Sequence, residues 1–276
     1  MTESSTSTLD KALRWFGTAR PKPEARCRLF CLPYAGGSSA IFRPWQTAAP
    51  AFLEVVPLQL PGRGQRLREP LLRNILEIAG LITSDLLAMF KEKPFAFFGH
   101  SMGALISYEV ARMLRWEHGL RPMALMVSGR RAPHLPDRRP PTYQLPEAEF
   151  IQELRRLNGT PKEVLESSEL MEIMMPLLRA DFEAVETYEY QPGPLLDCAI
   201  SAFGGSEDPD VSQADVEAWG EHTSSEFKCK IMAGDHFFLV PQQQSLLQEL
   251  VLELVQLWSK NPDSPRRHGS TEKSGN

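Results

Sequence analysis

The chain has 276 residues, room for one large domain or two ordinary ones. Hydrophobic residues make up 42% and charged residues 24%, enough for a sizeable core and against wholesale disorder. A net charge of −5 argues against a constitutive nucleic-acid binder, and no apolar run approaches the roughly 18 residues of a membrane span.

The polar opening, MTESSTSTLDKALRWFGTARPKPEAR, lacks the charged start and apolar middle of a signal peptide, so a cytoplasmic protein is expected. Residues 1–22 hold few core formers besides Leu13, Trp15 and Phe16, and are expected to be flexible. Residues 28–32 (RLFCL) read as a buried strand running into Pro33-Tyr34-Ala35-Gly36-Gly37. Residues 53–60 (LEVVPLQL) read as a second strand, weakened by Pro57 and broken by Pro61-Gly62-Arg63-Gly64. Over 74–90, Ile75, Ile78, Leu81, Ile82, Leu86 and Phe90 fall at helical spacing, and residues 91–94 end that helix. A short buried strand at 95–98, a helix at 102–116 and a strand at 123–128 (MALMVS) follow.

The alternation then breaks for some 60 residues between Gly129 and Tyr190. This stretch opens rich in proline and arginine (132–146) and turns helical and methionine-rich. It is expected to form a helical lid over about 130–190, inserted at the sheet's carboxyl edge; plain core helices are the alternative. Strands return at 198–203 (CAISAF) and 227–232 (FKCKIM), and 243–258 closes as a leucine-rich helix. Residues 259–276 are expected to be a disordered tail. Strands separated by helices predict an α/β fold with a mostly parallel central sheet and helices on both faces, in one catalytic domain over 23–258. Four cysteines are too few for a disulfide framework, and Cys27 and Cys31 lie in an apolar run without further ligands nearby. Neither metal nor cofactor is expected.

The strand at 95–98 runs into Gly99-His100-Ser101-Met102-Gly103, with a helix directly after. G-x-S-x-G alone is a weak signal. Between strand and helix it describes a sharp turn that lifts a serine above the sheet, where small flanking residues avoid clashes. Ser101 is therefore the candidate nucleophile. It needs a base and an acid that orients the base, each after a later strand. Of six histidines, His236 in Gly234-Asp235-His236-Phe237 follows the 227–232 strand and precedes the last helix. The acid should follow the strand before, where Glu207, Asp208 and Asp210 all stand; Asp208, before a proline, is preferred. An oxyanion hole needs two backbone donors, expected from Met102 and from Ala35, with Tyr34 as the alternative to Ala35. The glycine-rich turn matches neither G-x-x-x-x-G-K-[ST] nor G-x-G-x-x-G.

Taken together, LPYAGGSSAIFRPW, LQLPGRGQRLREP, FGHSMGALISYEVAR, FGGSEDPDV and AGDHFFL resemble the type II thioesterases of the α/β-hydrolase fold. The resemblance runs over about 27–258, with five motifs in the family's order. It implies that Ser101, Asp208 and His236 form a triad, that Ala35 and Met102 supply the oxyanion hole, and that a helical lid fills the break. One departure is Gln65, where the family often has an acidic residue. Members accompany polyketide and nonribosomal peptide synthetases or fatty acid synthase. The implied substrate is an acyl group on the phosphopantetheine arm of an acyl or peptidyl carrier protein, cleared when stalled or misprimed, with the enzyme a monomer. Rival readings are a medium-chain thioesterase of fatty acid synthesis, an esterase or acyltransferase on the same fold, and a binding protein on a hydrolase scaffold. Two details stay open at this stage. The methionines and leucines of the lid suit a flexible acyl channel or plain packing. Arg130, Arg131, Arg138 and Arg139 suit an acidic carrier or a solvated surface.

Overall fold

Side chains alternate along the strands, and both faces of the sheet are covered. The computed structural model describes residues 8–17 and 20–260. Six strands, β1 (Cys27–Leu32), β2 (Leu53–Pro57), β3 (Phe95–His100), β4 (Ala124–Ser128), β5 (Ala199–Gly205) and β6 (Phe227–Met232), form one sheet in the order β2-β1-β3-β4-β5-β6. Every neighbouring pair is parallel, so every strand ends at the same edge of the sheet. The expected parallel α/β architecture is present.

On one face, Phe30, Leu32 and Phe97 pack with Ile78, Ile82 and Leu86 of α3 (Ile75–Glu92) and with Leu105 of α4 (Met102–His118). On the other, Leu29, Cys31 and Phe98 meet Trp45 of α2 (Arg43–Ala48) and Leu246 and Leu250 of α9 (Gln243–Lys260). Central strands buried on both faces read as near-continuous apolar runs, which is how β3 (FAFFGH) reads. α3 starts where Asn74 accepts the N–H groups of Leu76 and Glu77 at 2.9 and 3.1 Å. Burial holds the Cys27 thiol up at about 12 and the Cys31 thiol high as well, the state of inert core side chains.

One expectation needs correction. The second strand ends at Pro57 rather than at residue 60, because proline has no N–H for the ladder; it is tolerated there because β2 is an edge strand. Of the N-terminal segment, residues 8–17 are described. They form α1 (Thr8–Arg14) and seat Trp15, whose Nε1–H donates to Asp85 at 2.9 Å and whose ring lies 4.3 Å from the Arg66 guanidinium carbon. Residues 1–7, 18–19 and 261–276, the last holding nearly all of the expected tail, lie outside the described residues. Three helices stand between β4 and β5: α5 (Glu147–Leu157), α6 (Lys162–Leu165) and α7 (Ser168–Glu186). They share a small core of Phe150, Leu154, Leu165, Met171 and Leu178. A short α8 (Gln213–Glu217) follows β5. Among the described residues no helix is long and apolar enough to cross a membrane.

Beside α8 the chain buries a histidine pair. Tyr108 Oη and His222 Nδ1 are 2.9 Å apart, and His134 Nδ1 is 2.7 Å from His222 Nε2. Burial, then His134 and Arg112, depress His222 to about 4. A histidine kept neutral in the fold and free to charge when unfolded gives stability that is full above about pH 6.5 and lost as the pH falls toward about 4. Urea unfolding across that window should show a decline of up to about 3 kcal/mol from this group, and a shallower slope in His222→Gln.

Candidate active site

The turn from β3 into α4 is made in one residue. Ser101 sits at φ 54° and ψ −110°, a backbone conformation an L-residue rarely adopts, and its N–H donates to the Ser128 carbonyl at 2.7 Å. The flanking glycines are required by space. A Cβ at Gly99 would stand 2.1 Å from the Gly103 carbonyl oxygen, and one at Gly103 would stand 2.2 Å from that of Leu32. Ser101 faces a cavity of about 450 Å³ that His236, Ala35 and Tyr34 also line.

The loop after β5 presents the acid and the loop after β6 the histidine. His236 Nδ1 lies 2.6 Å from Asp208 Oδ2, and the Asp208 side chain is fully buried. Asp208 Oδ1 also accepts the N–H groups of Asp210 and Val211 at 2.9 and 3.1 Å. These donors fix the carboxylate as an acceptor, so Nδ1 of His236 carries the proton and Nε2 keeps its lone pair. The other candidate acids are placed elsewhere. Asp210 pairs with Arg156 at 2.8 Å, and Glu207 is exposed. Asp235 shapes its own loop by accepting the Phe237 N–H at 2.8 Å. Among the described residues Ser101 Oγ has no hydrogen-bond partner, which is common before substrate closes a catalytic contact. Beneath the triad positions His100 is fully buried, 2.9 Å from Ser128 Oγ, and desolvation holds its pKa well down.

Two backbone donors are the expected oxyanion groups. The Met102 N–H, next to Ser101, opens α4, where helix geometry leaves it without an internal acceptor, and Ala35, in the turn after β1, lines the cavity. Neither donates to another described group. The turn itself is held by a residue that the sequence did not single out. Asp181 of α7 accepts the Gly36 N–H at 2.7 Å and pairs in a fork with Arg63, both contacts 2.7 Å, with the two side chains almost fully buried. Arg63 also donates to the Gly37 carbonyl at 3.1 Å. Arg63 stands in the PGRGQR motif, but its partner lies 118 residues away.

The helices between β4 and β5 close over the cavity. Leu154, Leu157, Leu178, Phe182 and Val185 line it, whereas Met171, Met174 and Met175 belong to the small helical core. For these methionines packing is the observed role. Three of the four arginines have partners within the chain, although Arg138 and Arg139 stay exposed. Arg131 donates to the carbonyls of Pro136 and Asp210, Arg138 pairs with Asp215 at 2.8 Å, and Arg139 with Glu153 at 3.2 Å. Among the described residues no group of three or more His, Cys, Asp or Glu side chains is placed to hold a metal ion. A serine that shares a cavity with a carboxylate-bound histidine is the arrangement nucleophilic attack on a carbonyl requires.

A family model described as a thioesterase domain matches residues 27–254. Linear gramicidin dehydrogenase LgrE of Brevibacillus parabrevis is 45% identical over 85% of this chain and 90% of its own length. Among solved structures, the RedJ thioesterase of the prodiginine pathway in Streptomyces coelicolor superposes with a TM-score of 0.78 at 38% identity, covering 92% of this chain and 97% of that one. YbtT, a type II thioesterase of the yersiniabactin NRPS/PKS pathway, gives a TM-score of 0.78 at 34% identity, covering 87% and 96%.

Removing one partner of a buried ion pair strands the other. Asp181→Ala should therefore cost about 3–5 kcal/mol in urea unfolding, and Asp181→Asn, which can still accept the Gly36 N–H, clearly less. Equal, small losses in both would show that the pair does not hold the turn.

Proposed function

The chain belongs to the thioesterase family, and we propose that it is a type II thioesterase that frees acyl groups from the phosphopantetheine arm of carrier proteins. The observation that carries this reading is His236, held by Asp208 at 2.6 Å, in the same cavity wall as the strained Ser101. His236 Nε2 takes the Ser101 Oγ proton as the oxygen adds to the thioester carbonyl. The Met102 and Ala35 N–H groups hold the negative oxygen. On collapse the carbon–sulfur bond breaks, and the pantetheine sulfur leaves with the proton carried by His236. A water then gives its proton to His236 and adds to the acyl-serine; collapse returns the proton to Ser101 and releases the acid. Asp208 keeps the imidazole in the tautomer these steps need and stabilises the imidazolium.

The substrate class rests on the company the relatives keep, namely gramicidin, prodiginine and yersiniabactin biosynthesis. Such pathways carry intermediates as thioesters, and a stand-alone hydrolase there clears stalled or misprimed units. The helices α5 to α7 act as the lid, and their Leu and Phe side chains take the acyl chain in place of the methionines. Acyl-carrier proteins incubated with the purified chain should lose their acyl groups by mass. Ser101→Ala and Asp208→Asn should each lower kcat by about 10⁴-fold or more, and a fluorophosphonate probe should label Ser101. Release undiminished in Ser101→Ala would sink the proposal, and transfer to an added alcohol in preference to water would make the enzyme an acyltransferase.

A further inference from the structure

Arg130 is the second residue after β4 and lines the same cavity as Ser101 and His236. Its backbone is fixed, since its carbonyl accepts the Trp219 Nε1–H at 2.8 Å. Its side chain is only 16% exposed, yet among the described residues its guanidinium makes no hydrogen bond. The nearest opposite charge is Asp137 at 3.6 Å, a half-exposed carboxylate that Arg131 shares at 3.9 Å. Other cavity arginines are engaged: Arg131 by two carbonyls, Arg138 by Asp215, Arg156 by Glu153 and Asp210. Glu186, in the same wall, is occupied by the Thr142 N–H and hydroxyl and the Tyr143 N–H. Tyr188 donates to Glu109.

A guanidinium has five N–H donors, and here Nε is buried without a partner, which is costly, while Nη2 has only the distant Asp137 carboxylate. The guanidinium fork matches the two oxygens of a carboxylate or phosphate. The cavity wall joins apolar side chains, Leu154, Leu157, Phe182 and Val185, to charged ones that are already paired, such as Arg138, Arg156, Glu153 and Asp210. At a part-buried position a charge-assisted hydrogen bond is stronger than in open water.

We propose that Arg130 is a recognition group for an anionic oxygen pair that the thioester substrate brings into the catalytic cavity. The inference rests on the thioesterase reading and deepens it, because it assigns a substrate feature to a side chain outside the triad. Two parts of a carrier-bound thioester can bring such a group: a carboxylate at the end of the acyl chain, or the phosphate of the pantetheine arm.

The test compares two matched pairs of small thioesters on the full chain. One pair is butanoyl- and succinyl-pantetheine, and the other is butanoyl-pantetheine and butanoyl-phosphopantetheine. For the wild-type protein, Arg130→Gln and Arg130→Lys, the readout is the ratio of kcat/KM for the anionic over the neutral member. Arg130→Gln should lower one of these ratios by about 10- to 100-fold, with Arg130→Lys in between. A fall in the succinyl ratio assigns the acyl carboxylate, and a fall in the phosphopantetheine ratio assigns the arm. Ratios unchanged in both pairs would overturn the inference. The same pairs titrated by calorimetry onto Ser101→Ala, with and without Arg130→Gln, read binding without turnover. A wild-type protein that binds an anionic member through Arg130 but hydrolyses nothing would overturn the thioesterase reading alone.

Discussion

Within one residue the chain stops being the central strand β3 and becomes α4, and Ser101 carries the change in a strained backbone conformation. Such strain persists only where the surroundings over-determine it. Here β3 is locked between β1 and β4, the Ser101 N–H is tied to Ser128, and two glycines let the helix approach within a distance that any Cβ would forbid. The rest of the site follows from that approach. It leaves the Met102 N–H at a helix start without an acceptor, points Ser101 at the cavity, and puts His100 under the histidine loop at a ring distance of 5.3 Å from His236. Because all six strands are parallel, the loops after β5 and β6 emerge at the same edge as the turn after β3, which brings His236 and Ser101 to one cavity.

A second tie joins this edge to the helices above it. Asp181 is the point where α7, the PGRGQR segment and the turn after β1 are held together. A buried ion pair is weak evidence for net stability, since desolvation offsets much of the attraction. Its geometry is what matters here. Two of the oxygen contacts and the Gly36 N–H fix the turn that presents the Ala35 N–H, so the inserted helices and the candidate oxyanion hole are one mechanical unit.

The parts of this arrangement that the sequence made legible are those with a local signal. The strands were readable because burial on both faces leaves an apolar run, and α3 because its buried residues recur at helical spacing. Ser101 could be found because its glycines are adjacent in the chain, and His236 because it follows a readable strand. Asp208 was preferred for its place before a proline, but its neighbours stayed open, since only packing sends Asp210 to Arg156. Trp15 was one of three core formers visible in a polar segment, but one tryptophan carries no periodicity, so neither α1 nor the Asp85 contact could be read. The Asp181–Arg63 fork was invisible for a plainer reason: its halves are 118 residues apart and neither has a neighbour that announces it.

The arginines near the lid show how charge has to be read in place. By sequence, Arg130, Arg131, Arg138 and Arg139 form a basic cluster in an acidic chain. In the fold, Asp215, Glu153 and Asp210 neutralise two of them and backbone carbonyls occupy a third. Long-range steering by the cluster is thereby reduced, because paired opposite charges make a field that decays over a short distance in salt. Arg130 differs by burial rather than by charge. At the cavity wall, a part-buried guanidinium whose nearest acceptor is 3.6 Å away acts on what enters, so its reach is that of a hydrogen bond and, on the proposed reading, its influence falls on the bound acyl thioester rather than on the approaching protein.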